Sequence, residues 1–443
     1  MKKTLFLTLA ASLLGTTPLM AAADLFITGS TAFRSNVHDA CTNMVIHDAN
    51  YHEYTGTAAT GGDSKTGNTA AQWTVTGTAS TTVSNISGTL TIHALFTGSV
   101  QGIQTVESST KLLFLDASGN VMTNTPTIAF SDVSSTSTPY PVDGSTYSEE
   151  SVAIQPFVMV KAASTNNVLA NISNITYDQL KYAIVPGKIP YSAWSNKSSD
   201  HNNYVYLLNR TKDSGTRRTT FAMENYGFSV GAIIYNWDPT NNQFYLANNL
   251  SNTAAGYTGY GVVGAAGNGN ANLSSLWGPG YVGGGDIKTA LGYSNSVNQS
   301  ISYLSLSDAK GITGVNWSQV LSINGLWPTA AGSGIKNNGG TNDFSPICLG
   351  LYPHWAAEVV IYPLKDPSSI SSDQDLNATQ LGDQNTPGSI LGVLDYQTKF
   401  SGGTAPNGSL ENEIIKSQPG GATAIRLSDM TSSRASVGGT ITP

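Results

Sequence analysis

Two short segments hold the residue types that grip an oxyanion. One is Thr28-Gly29-Ser30-Thr31, near the start; the other is Asn209-Arg210-Thr211-Lys212-Asp213-Ser214-Gly215-Thr216, in mid-chain. Both are hydroxyl-and-glycine turns that lead into helical spacing. A helix start carries unpaired N–H groups and a partial positive charge, so it attracts an anion. Glycine lets the backbone approach closely, and Ser and Thr add donors that rotate to suit. Arg210 adds a bidentate, charge-assisted contact. Two such turns, far apart along the chain, predict an anion held between two lobes.

The elements that must position these turns follow from the apolar pattern. Leu25-Phe26-Ile27 predicts a strand ending in the first turn, with a helix over 32–49. Residues 89–96 predict a strand running into Thr97-Gly98-Ser99, with a helix over 100–107. Residues 127–130 predict a third strand, followed at once by Ser131-Asp132. The apolar stretch 151–161 predicts a crossover strand, with Pro156 at a bend or edge. Thr176 is placed to N-cap a short helix ending near Ala183. Residues 204–208 predict the strand that delivers Arg210, and residues 217–226 the helix after it. Further on, 287–291 reads as helix, and 300–305 and 359–363 as strands. Strands that stop at polar turns and alternate with helices predict an α/β fold, with ligands outside the strands' carboxyl ends. Residues 55–88 read as a β-hairpin insertion or an ordered loop, and 251–285 and 380–410 as loop-rich. The tail from Gly420 reads as one short helix with a loose end.

Composition bounds the setting. Lys2 and Lys3, the apolar stretch from Leu5 to Leu14 and Ala21-Ala22-Ala23 predict a signal peptide over 1–23 and a periplasmic or secreted protein. No run is long enough to span a membrane once that signal is removed. Charged residues are only 11%, an exported-protein trait, while 40% hydrophobic residues is too many for general disorder. Loss of Lys2 and Lys3 takes the formal net charge from −7 to −9. That excludes nucleic acid and anionic membranes as expected partners. Cys41 and Cys348 stand open between one disulfide and two separate buried thiols. His38, His47, His52, His93, His201 and His354 show no metal spacing and read as structural or surface residues. No metal or cofactor is expected. Arg217 and Arg218 read as solvated helix residues.

The order of these motifs resembles the periplasmic phosphate-binding proteins of ABC-type phosphate uptake, in the type 2 periplasmic-binding superfamily. Gly29-Ser30-Thr31 corresponds to that family's first hydroxyl turn, Thr97-Gly98-Ser99 to its second, and Phe130-Ser131-Asp132 to its "ASD" segment. Pro186-Gly187-Lys188-Ile189 with Trp194 resembles its "G-K-I" turn and tryptophan. Arg210 to Thr216 matches its arginine and anion loop with one glycine replaced; Ile323-Asn324-Gly325 and Tyr352-Pro353 fall later in order. The resemblance spans roughly residues 25–363, with insertions at 50–88 and 251–285 and a C-terminal extension as departures.

It implies two α/β lobes: 24–153 and 345–443 in one, 154–344 in the other. Ser30, Thr31 and Ser99 would hold the anion from the first lobe, and Arg210, Ser214, Gly215 and Thr216 from the second, with Asp213 orienting Arg210. Asp132 would accept a proton that phosphate carries and sulfate lacks. Each residue has a plain alternative: Ser30-Thr31 as a helix cap, Arg210 as a surface ion pair, Asp132 as an Asx-turn. The expected function is capture of inorganic phosphate without catalysis, with an ABC permease as a candidate partner. The alternatives are another oxyanion (molybdate, tungstate, sulfate), a surface protein using the fold as a scaffold, or a phosphatase-like hydrolase.

Overall fold

Apolar strands buried on both faces, alternating with short helices, build one mixed sheet in the computed structural model. It describes residues 20–55, 70–83, 86–163, 167–227, 230–239, 241–246, 280–281, 283–293, 296–310, 319–330, 343–364, 390–394, 424–434, 436–437 and 440–442. Most of the expected signal peptide and of the 251–285 and 380–410 stretches lies outside them.

The chain first runs β1 (Met20–Gly29), α1 (Arg34–Thr42), β2 (His52–Thr55), β3 (Gln72–Thr78), β4 (Ile86–Leu95), α2 (Ser99–Glu107), β5 (Leu112–Leu115), β6 (Val121–Asn124) and β7 (Ile128–Ser131). After β8 (Tyr147–Lys161) come α3 (Asn167–Ala170), β9 (Asn174–Ile175), α4 (Tyr177–Ile184), β10 (Lys188–Pro190), α5 (Ser192–Ser195), β11 (Tyr204–Leu208) and α6 (Gly215–Met223). Then follow β12 (Tyr235–Asp238), β13 (Gln243–Leu246), α7 (Gly284–Gly292), β14 (Ser300–Ser305), α8 (Leu306–Lys310), β15 (Val320–Ile323) and α9 (Ser345–Cys348). The long strand β16 (Trp355–Pro363) and α10 (Ile390–Leu394) come last before the tail.

The main path of the sheet is β13-β12-β11-β14-β8-β16-β7-β1-β4-β3-β2. Each end of it contains a parallel triplet: β7, β1 and β4 in one, β12, β11 and β14 in the other. Strand β8 joins the two. Its first part, up to Pro156, pairs with β16, and its last part pairs with β14 from Phe157 onward. Pro156, which has no N–H to give a ladder, sits where the strand changes partners.

Each end has its own core. Leu25, Ile27, Val37, Trp73, Ile92 and Phe130 centre one; Val158, Val205, Leu207, Trp237, Ile301 and Leu321 centre the other. The second core also takes Phe344, Ile347, Tyr352 and Trp355. The α/β class expected from strand–turn–helix alternation is the class observed.

Local chemistry explains several boundaries. Thr176 caps α4 through a reciprocal box: its hydroxyl accepts from the Gln179 N–H at 3.1 Å, and the Gln179 side chain accepts from the Thr176 N–H at 2.8 Å. Residues 72–78 join the sheet as the hairpin partner of β2 and the antiparallel neighbour of β4. Helix α1 ends at Thr42, short of the expected 49, because Val45 bridges to Ala79 and Met44 accepts from the Ser80 N–H. Tertiary pairing there overrides the helical spacing.

The tail is tied down where a loose end was expected. Ser433–Arg434 pairs with Ile441–Thr442, and Arg434 donates to the carbonyls of Pro353 and Trp355. The cysteines are free thiols in different cores, Cys41 buried in the first and Cys348 packed against the second. Separation into two cores leaves no disulfide between them.

Candidate functional site

The carboxyl ends of both parallel triplets meet. From β1, the chain turns at Gly29, whose φ of +117° suits glycine. The Ser30 N–H then donates to the Phe130 carbonyl at 2.8 Å, locking the turn to β7. Ser30 and Thr31 are both buried, and the Thr31 hydroxyl accepts from Arg210 Nη2 at 3.0 Å.

From β4, the chain reaches α2 through Gly98, at φ +120°. A side chain at Gly98 would press on the carbonyl and carboxylate of Asp213. The Val100 N–H donates to the Asp213 carbonyl at 3.0 Å, so the start of α2 is pinned to the other triplet. Ser99 Oγ donates a short hydrogen bond to Asp132 Oδ1. Asp132 itself stands just after β7.

From β11, Arg210 enters wholly buried, one of the largest buried side chains in the molecule. Its Nε donates to the Tyr281 carbonyl at 3.2 Å, and its backbone N–H donates to the Tyr303 hydroxyl at 3.3 Å. Ser214 caps α6 by accepting from the Arg217 N–H at 3.2 Å, which leaves its own O–H as a donor. A Cβ at Gly215 would fall on Asp132 Oδ1, so only glycine allows the two to approach. Thr216 Oγ1 donates to Asp132 Oδ2 at 3.2 Å.

Ser30, Thr31, Ser99, Asp132, Arg210, Asp213, Ser214, Gly215 and Thr216 are thus brought together, all buried or packed on buried neighbours. The surface-ion-pair alternative for Arg210 falls with its burial.

Charge in this buried seam is costly, and the shifts show it. Burial pushes the Asp132 carboxyl up, while the Ser99 hydroxyl, the Arg210 charge and the Thr216 hydroxyl pull it back. Two hydroxyl donors suit the ionised form. Burial pushes Asp213 up to about 7 against the nearby Arg210 and Arg217 charges. Asp213 Oδ1 takes the Thr211 hydroxyl, and the Arg210 charge acts on the same carboxyl.

Arg217 is a correction. It is buried, donates from Nη1 to the Arg210 carbonyl at 2.8 Å and lies over the Phe221 ring at 4.6 Å. Arg218, half-buried, donates to the carbonyls of Ser137 and Tyr226. Both serve the packing of α6 where solvated residues were expected. His354 is buried too, Nε2 2.9 Å from Thr220 Oγ1, and burial drives it down to about 3, so it is neutral.

Sequence reasoning missed three neighbours. Arg34 donates to the Thr31 carbonyl and pairs with Asp308 at 3.1 Å, tying α1 to α8. Ser307 donates to the Ala32 carbonyl at 3.2 Å beside it. Glu358 of β16 is fully buried against Ser30 and Asp132. A lone carboxylate inside the apolar run Trp355-Ala356-Ala357-Glu358-Val359-Val360-Ile361 was a visible signal.

Among the described residues, no group of His, Cys, Asp and Glu could hold a metal, and no helix is long and apolar enough to cross a membrane. The set presents one guanidinium, several hydroxyls and two helix starts as donors, and the Asp132 carboxyl as an acceptor.

No protein-family model matches the chain, and no curated protein matches it. Among solved structures it is similar to an ABC-type phosphate transport receptor from Vibrio cholerae, at 12% identity over 77% of this chain and 87% of that one, with a TM-score of 0.35. It is also similar to a human phosphate-binding apolipoprotein, at 11% identity over 91% of this chain and 90% of that one, with a TM-score of 0.39. At such values the likeness carries no functional weight, and the side chains of the site stand on their own.

Proposed function

We propose that this protein is an exported solute-binding protein that captures inorganic phosphate between two lobes. One lobe is 24–153 with β16 of the return after 345, and the other is 154–344, with Ile347 and Tyr352 of the return packed on its core. The observation that carries the reading is Arg210. A guanidinium is expensive to bury, yet Arg210 is buried beside Thr31 and Tyr303, hydroxyl residues supplied by the two different parallel triplets. Its charge already acts on Asp132 and Asp213, and an anion among the same hydroxyls would join that network.

Asp132 then selects for a ligand that carries a proton. An ionised carboxylate has about four acceptor positions, and Ser99 and Thr216 occupy two. The remaining capacity suits the P–O–H of hydrogen phosphate and leaves sulfate facing an unpaired acceptor. Binding of this kind needs no nucleophile, metal or cofactor. A permease partner is the natural recipient of such a ligand.

Titration calorimetry with phosphate, sulfate and molybdate tests the proposal. Phosphate should give saturable heat, with sulfate and molybdate weaker. Preference for molybdate would move the ligand to another oxyanion. No heat with any of the three would sink the binding role and leave the scaffold reading.

A further inference from the structure

Glu358 has no place in the site as described so far. It lies on β16, antiparallel to β7, and the last registered pair is Val359 with Ser131. One residue back along β16 is Glu358, and one residue on from β7 is Asp132, so the sheet sets the two carboxyls side by side. On the other edge of β16, Glu358 pairs with Ala153, beside a register irregularity between Glu358 and Val359. Both Glu358 oxygens are buried without a hydrogen bond of normal geometry, and so is the Ser30 hydroxyl beside them. Unsatisfied buried carboxyl oxygens cost on the order of several kcal/mol when charged. The Ser30 hydroxyl can answer one Glu358 oxygen at most, so the other is still without a partner.

We infer that Glu358 is a specificity-determining residue that acts as a neutral carboxylic acid, donating a hydrogen bond into the anion site beside Ser30 while Asp132 accepts one. The assignment rests on the anion-binding role proposed above. Adjacent carboxyls in a dry site cannot both ionise cheaply, so they share one negative charge. Burial and the Asp132 charge both hold the Glu358 proton on, opposed only by the Ser30 hydroxyl. The groups facing Glu358 are Asp132 from β7, Ser30 from β1 and Ala153 from β8; Arg210 acts on Asp132. The pair therefore offers one donor and one acceptor, the complement of an oxyanion with both a bare oxygen and a hydroxyl. Loss of the Glu358 proton at high pH would place a second negative charge against the ligand.

The test compares phosphate affinity by calorimetry across pH ~6 to ~10 for wild type, Glu358→Gln and Glu358→Ala, with thermal unfolding to confirm that each is folded. Glu358→Gln keeps a donor and cannot ionise. It should bind within about threefold of wild type at neutral pH and keep its affinity at any alkaline pH where wild type loses affinity. Glu358→Ala should lose about tenfold at neutral pH. Full affinity in Glu358→Ala, or a loss in Glu358→Gln as large as that in Glu358→Ala, would overturn the assignment while leaving the phosphate site intact. A wild-type protein that takes up no anion overturns both.

Discussion

The two triplets bring opposite chemistry to one seam. The β7-β1-β4 side supplies oxygens: the hydroxyls of Ser30, Thr31 and Ser99 and the carboxyls of Asp132 and Glu358. The β12-β11-β14 side adds the hydroxyls of Ser214 and Thr216 and the Asp213 carboxyl, and it alone supplies Arg210, with Arg217 behind it holding the Arg210 carbonyl. An anion's charge would be met from one side and its proton recognised from the other. Neither side alone discriminates, because a guanidinium accepts any oxyanion and a carboxylate repels most of them. Selectivity needs both within one dry space.

The sharpest way to break the contrast is to remove the cation. Arg210→Ala should abolish measurable phosphate binding, a loss of about 2–5 kcal/mol or more, as for truncation of a buried charge partner. Calorimetry reads it directly. The same change leaves the Thr31 hydroxyl and Tyr281 carbonyl without their guanidinium partner, so the melting temperature should also fall.

A smaller effect is expected from the acceptor side. In Asp132→Asn, the amide oxygen can still accept from Ser99, but a donor replaces the other acceptor. Phosphate affinity should drop about tenfold and sulfate affinity should rise, narrowing the ratio between them. An unchanged ratio in competition titrations would show that Asp132 reads no proton.

The smallest effect lies at the seam itself. Burial pushes the Asp213 carboxyl up to about 7 from its ordinary 3.8. Between those values the native state holds a proton that the unfolded state has lost, so stability falls as pH rises. Its contribution is fully present below about 3.8 and gone above about 7. Thermal unfolding across that range should show a downward slope in wild type that flattens in Asp213→Asn.

Much of the site was legible in the residues because helix starts, glycine turns and strand ends are local. Residues 204–208 and 300–305 read as strands, and both are observed with those bounds. Glu358 stands out as a lone carboxylate in an apolar run, but its pairing with Asp132 was not legible, nor that of Asp308 with Arg34, because nothing local links the partners. Arg217 was misread for a related reason: one turn into α6, exposure depends on what covers the helix.

By itself, then, the sequence determined the strand-to-turn-to-helix segments and the donors they carry, through spacing, caps and backbone freedom within a few residues. Only the tertiary structure decided which ends meet. Register across β16 and β7, and contact between two separate cores, set Glu358 beside Asp132 and Arg210 against Thr31. Those are long-range pairings, and their energy comes from burial that no single segment contains.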